Sequence, residues 1–203
     1  ILGAKNLKSH FNRDFNFKVV GSGDELKIGD RTFSFLETRM LHWPDSMFTY
    51  LVEDAILFSS DAFGQHYSGD KFFDDEIGDE IIPHARKYYA NILLHFSPRV
   101  QALLKDVAKM NLKINMICPD HGILWRENPS KIIEAYDKWS RQEPANKVVV
   151  IFDSMWDSTT KMARSITSGI ESEDVAVRLM NTRKWHRSDI MTEIIEAGAI
   201  AVG

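Results

Sequence analysis

Between residues 17 and 59 the chain alternates short apolar runs with polar turns. The runs 17–20, 25–28, 32–36, 48–52 and 55–59 are four or five residues long and separated by signals such as Gly21-Ser22-Gly23-Asp24 and Gly29-Asp30. Short runs of β-forming residues bounded by glycine and aspartate predict strands joined by local hairpins. Ahead of them, residues 4–11 read as the end of a helix. Residues 62–80 have no clear period and read as a long loop, the kind of segment that tends to be functional or mobile. A helical segment follows, with Tyr88, Leu93 and Leu94 among its apolar residues. Ser97 as N-cap and Pro98 as first residue open a second helix with Val100, Leu103, Leu104 and Val107 at helical spacing. Residues 113–118 predict a strand, and Asn128-Pro129 starts a helix with Ile132, Ile133, Tyr136 and Trp139 on one face.

The polar stretch 142–146, with Pro144, separates two patterns and is read as a boundary between domains at 1–143 and 147–203. After it, strands at 147–152, 175–180 and 199–202 alternate with helices at 159–170 and 188–197. The first of these helices carries Met162, Ile166 and Ile170 spaced four apart. A βαβαβ order predicts a parallel sheet with right-handed crossovers. Both ends suggest a piece of a longer chain: it starts without Met inside a helix and stops on an apolar strand that needs neighbours.

Composition narrows the classes. A net charge of −4 gives no reason for a nucleic-acid partner. The apolar run 148–152 is far too short to span a bilayer, and the first residues show no signal pattern. A single cysteine, Cys118, excludes an internal disulfide and fits a reducing cytoplasm.

Three residues of metal-ligand type stand at strand ends. His42 lies in a turn that Pro44 keeps out of regular structure. Asp61 ends an apolar strand, and His121 follows Pro119 in a glycine-containing turn. Each has a plain alternative: a hydrogen-bonded loop histidine, or a carboxylate paired with an arginine or a helix end. Together they suit iron or zinc bound through imidazole and carboxylate. Cys118, on the strand side of Pro119, reads as a small apolar residue. In the second pattern, the loop 153–159 joins the first strand to the first helix and is rich in hydroxyls. It lacks both GxGxxG and GK[ST]. Such a loop suits a single phosphate at a helix N-terminus, as in flavin mononucleotide, or is simply a polar cap.

The runs MLHWPDSMFTY (40–50), SDAFGQH (60–66), YYANI (88–92), CPDHGILW (118–125) and DSMWDSTTKMAR (153–164) closely resemble the flavodiiron proteins. The resemblance covers nearly the whole chain, in order. It implies an α/β architecture: the C-terminal half of a metallo-β-lactamase-like αββα domain, then the N-terminal βαβαβ half of a flavodoxin-like doubly wound domain. It further implies two non-haem iron ions. His42 resembles a ligand of one, His121 a ligand of the other, and Asp61 the carboxylate bridging both. Ser154, Met155, Trp156, Asp157, Ser158 and Thr159 resemble the FMN phosphate loop, and His66 is a candidate acid-base group beside the metals. The family's HxExDH ligand cluster would lie upstream of residue 1, and its later FMN loops beyond residue 203. The implied activity passes electrons from a rubredoxin-type donor through FMN to the irons, which reduce O2 to water or NO to N2O. The implied assembly is a head-to-tail homodimer or tetramer. A zinc hydrolase of the same superfamily with an appended flavodoxin-like module is the alternative.

Overall fold

The computed structural model describes residues 2–203. Helix α1 (Leu2–Phe11) leads into a five-stranded sheet: β1 (Glu25–Ile28), β2 (Arg31–Glu37), β3 (Met47–Leu51), β4 (Ile56–Ser60) and β5 (Met116–Pro119), in that spatial order. The first four strands are joined by hairpins and run antiparallel. β5 returns parallel to β4 after a helical excursion, pairing Leu57 with Ile117 and Phe58 with Cys118.

That excursion holds α2 (Asp74–Ile77), α3 (Ile81–Tyr88), a single π-turn at Tyr89–Leu93 and α4 (Ser97–Met110); α5 (Pro129–Arg141) follows β5. Their apolar stripes meet the sheet in one core around Trp125, Tyr89, Tyr136, Phe48 and Ile117, all essentially inaccessible to water. Each aliphatic or aromatic side chain so buried contributes roughly 1.5–3 kcal/mol relative to exposure.

The second sheet is wholly parallel, in the order β7-β6-β8: β6 (Lys147–Phe152), β7 (Ala176–Asn181) and β8 (Ala199–Val202). Helices α6 (Ser158–Glu171) and α7 (Arg187–Ile194) cover opposite faces. The alternation along β6 decides which residue meets which helix. Val149 and Ile151 pack with Ile190 and Ile194 of α7, whereas Val148, Val150 and Phe152 pack with Ala163 and Ile170 of α6. The sheets lie on either side of residues 142–146, and contacts tie them together. Ile195 enters the first core, Arg86 pairs with Glu196 at 3.0 Å and Lys87 with Asp189 at 2.5 Å.

Four expectations are corrected. Residues 17–20 form no strand: they are mostly exposed and have no ladder partner among the described residues, so local β-propensity has nothing to pair with. The stretch 62–80 is not all loop, because Asp74 starts a helical turn; its carboxylate accepts N–H bonds from Arg126, Glu127 and Asn128. On α6, Met162 and Ile166 face outward at 65% and 46% exposure, and the inner face is carried by Ala163 and Ile170. Ser97 is likewise the first helical residue and not the cap, its hydroxyl donating to the Leu94 carbonyl.

Candidate metal centre and phosphate loop

The sheet topology explains why three distant residues converge. β2 and β4 are each antiparallel to β3, and β5 is parallel to β4. Thus β2, β4 and β5 run in one direction, and the loops after them leave the same edge. His42 follows β2, Asp61 follows β4 and His121 follows β5.

Each loop is held by its own hydrogen bonds. After β2, Thr38 N–H donates to the Ser46 carbonyl (2.9 Å), Met40 N–H to Trp43 (2.7 Å) and Trp43 N–H to Ser46 Oγ (3.0 Å). Buried Leu41 anchors this turn, and exposed Trp43 lies with its ring 5.4 Å from that of His42. After β4, Gly64 N–H donates to the Asp61 carbonyl, and Ser59 Oγ to that of Ala62 (2.7 Å). After β5, Asp120 N–H donates to the Ser60 carbonyl (2.8 Å), tying the second loop to the third.

Asp61, only 7% exposed, sits between the two imidazoles. Its Oδ2 is 3.2 Å from His42 Nε2 and its Oδ1 is 3.0 Å from His121 Nε2. One carboxylate therefore presents each oxygen to a different histidine. The donors touch each other instead of a shared point, and among the described residues no group of three or more His, Cys, Asp or Glu is spaced to hold an ion. The donor chemistry nonetheless fits half of a two-metal site: an imidazole on each flank of a carboxylate whose two oxygens diverge.

His66 is exposed at the rim, its ring 6.0 Å from His121 and 4.9 Å from Tyr88. Tyr88 is buried below, 6.3 Å from His121. Burial pushes the Tyr88 phenol well above the ordinary tyrosine range, and the charges of Asp61 and Asp120 push it further. Sequence reasoning counted Tyr88 as an apolar helix residue and as the start of the 88–92 run, with no role at the site. Its helical spacing held no sign that it ends beside the histidines. Cys118 is half-buried, and burial raises its thiol.

The second site lies at the start of α6. Asp157, at φ 66°, occupies the cap position without a side-chain capping bond, so no side chain satisfies the first N–H groups. Ser154 Oγ is buried without a hydrogen-bond partner, while Ser154 N–H donates to Asp153 Oδ1 (2.7 Å). Asp153 is itself paired with Arg183 at 2.7 Å. Ser158 and Thr159 begin the helix, and Met155 and Trp156 project into solvent, Trp156 at 86% exposure. An uncapped helix start beside an orphaned hydroxyl fits a phosphate.

Residues 4–122 match the family described as ODP family beta lactamase. An uncharacterized protein of Methanocaldococcus jannaschii is 44% identical over 202 residues, 99% of this chain and 51% of its own length. The nitric oxide reductase of Moorella thermoacetica is 43% identical over 98% of this chain and 50% of its own length. Among solved structures, rubredoxin oxygen:oxidoreductase from Desulfovibrio gigas superposes with a TM-score of 0.95 at 39% identity, covering 100% of this chain and 51% of that one. The chain thus spans about half the length of the relatives it matches.

Proposed function

The chain belongs to the flavodiiron proteins, through a β-lactamase domain of the ODP family, and on that premise we propose that the full-length protein is an oxidoreductase reducing O2 to water, NO to N2O, or both. Electrons would enter from a rubredoxin-type donor, pass through FMN and reach a pair of non-haem irons. The observation that carries this reading is the Asp61 carboxylate, with one oxygen facing His42 and the other His121.

His42, Asp61 and His121 would hold the irons. Bound iron would supply open coordination positions and a change of oxidation state, and zinc has no redox chemistry. The residues of the chain do the remaining work. The hydrogen-bonded loops keep the imidazoles and carboxylate on one sheet edge. Tyr88, whose phenol keeps its proton far into the alkaline range, closes the floor as a neutral group. His66, at the rim, is placed to hold or move a proton near the site. Around the flavin, the α6 N-terminus and the hydroxyls of Ser154, Ser158 and Thr159 would bind the phosphate, with Met155, Trp156 and Asp157 completing the loop. A head-to-tail dimer would set the flavin loop of one subunit against the metal ligands of its partner. Among the described residues no helix is long and apolar enough to cross a membrane.

The test is cofactor analysis of the full-length protein together with gas consumption. The expected result is iron and FMN in stoichiometric amounts, with O2 or NO consumed when a reduced rubredoxin is supplied. Asp61→Ala should lose iron and turnover together, by roughly a hundredfold or more, since even residues that only orient ligands cost 10–100-fold. Zinc in place of iron, or iron and turnover unchanged in Asp61→Ala, would overturn the assignment.

A further inference from the structure

Asp61 and His121 are 60 residues apart in sequence, yet one side chain spans the loops that carry them. Gln65 is completely buried. Its Oε1 accepts the Ile123 N–H at 2.8 Å. Its Nε2 donates to the Phe63 carbonyl at 3.1 Å and to the Ile123 carbonyl at 3.4 Å. Its backbone N–H donates to the His121 carbonyl at 3.3 Å. The amide therefore grips the chain just beyond His121 and, through Phe63, just beyond Asp61.

The surroundings are shaped to this amide. Gly122, at φ 81°, passes so close that a Cβ there would lie 1.9 Å from Gln65 Oε1 and 2.6 Å from the Gln65 carbonyl oxygen. Any side chain at 122 would displace the amide, so the glycine is required by the approach as well as by its backbone angle. Phe63 is held at a positive φ of 67° with both its backbone polar groups engaged. Its N–H donates to Tyr136 Oη at 2.8 Å, and its carbonyl also accepts Trp125 Nε1 at 2.9 Å. Only a primary amide can accept from one loop while donating to both. A leucine of similar bulk does neither, and a carboxylate cannot donate.

We propose that Gln65 is a positioning residue that sets His121 against Asp61 by clamping the loop after β4 to the loop after β5. The inference rests on the metal reading of His42, Asp61 and His121. The clamp holds the His121 side of the site, while His42 arrives on the separately bonded loop after β2. Losing Gln65 should therefore loosen one metal position and spare the other.

The experiment uses full-length protein loaded with iron, challenged with excess chelator and followed by Mössbauer spectroscopy, which separates inequivalent irons. In Gln65→Leu one iron is expected to leave roughly 10–100-fold faster, the range found when a group orienting a metal ligand is removed, with the other iron retained at the parent's rate. Val149→Ala, a core truncation in the other sheet, should change neither rate. Should Gln65→Leu not fold, Gln65→Glu keeps the Ile123 acceptor but loses both donated bonds, and the same one-sided release is expected with smaller size. Release rates unchanged in the Gln65 variants, or raised equally at both irons, would overturn the inference while leaving the metal reading intact. Full iron retention in His121→Ala would instead overturn the metal reading itself, and the inference with it.

Discussion

At the scale of the residue, the candidate site shows how burial turns ordinary side chains into constrained ones. Asp61 is nearly inaccessible, and a buried carboxylate persists only with partners on its oxygens. Both oxygens have an imidazole at hydrogen-bonding distance. The tyrosines beneath are held as neutral phenols, because burial disfavours the phenolate. Tyr89 is pushed up to about 12 by burial, with the Ser97 hydroxyl bond offsetting part of the shift, and Tyr88 and Tyr136 are raised as well. A folded pKa above the unfolded value of about 10 means the native state holds protons that the unfolded chain releases. That stabilisation is complete below pH ~10 and is lost as pH rises through the folded values. Urea midpoints should therefore fall steeply between about pH 10 and 12, and Tyr89→Phe should flatten part of that fall. Midpoints that stay level across the window would show that these phenols are not held neutral by the fold.

At the scale of the element, pattern and context divide. The runs at 25–28 and 147–152 match strands β1 and β6 residue for residue, because each has both a short run of β-forming residues and a neighbour to pair with. The run at 17–20 has the first and lacks the second. Helix α6 shows a subtler failure. Met162 and Ile166 point away from the sheet, while the small Ala163 and Ile170 pack with Val150 and Phe152. A stripe of large residues is therefore no guide to the inner face where a sheet demands a small one. The start of α6 carries a prediction of its own. Hydrogen bonds to a charged group are worth roughly 1.5–3 kcal/mol each. Replacing Ser158 and Thr159 by alanine in the full-length protein should therefore weaken FMN binding about tenfold or more per hydroxyl, while thermal stability without flavin changes little. Titration of apo-protein with FMN reads this, and an unchanged affinity would remove these hydroxyls from the phosphate site.

At the scale of the whole molecule, the chain presents one His–Asp–His set, an edge strand and a packed junction between two sheets. Edge strand β8 leaves Ile200 and Val202 open to solvent, an exposed pairing edge of the kind that invites aggregation. Metal affinity depends on ligand number and preorganisation, so three donors should hold iron weakly. The 203 residues expressed alone are expected to be poorly soluble, to bind iron below stoichiometry and to show no O2 or NO reductase activity. Stoichiometric iron with turnover in that segment would show that the three donors suffice. The junction joins the two halves through Ile195 and the ion pairs of Arg86 with Glu196 and Lys87 with Asp189. None of these was visible in the pattern, since each pair lies about a hundred residues apart in sequence.

By itself the sequence determined the local facts: hairpins where apolar runs meet Gly-Asp turns, a βαβαβ segment after 146, three ligand-type residues at strand ends and a hydroxyl-rich turn ahead of a helix. These are legible because periodicity and turn chemistry act over a few residues. Only the tertiary structure decided that His42, Asp61 and His121 share one edge, because that depends on the directions of β2, β4 and β5 and on the parallel return of β5 after the intervening loop and helices. It alone placed Tyr88 beside the histidines and Gln65 between the loops. A glutamine in a loop motif and a tyrosine on a helix face carry no local mark of what lies across from them; strand order and packing supply it.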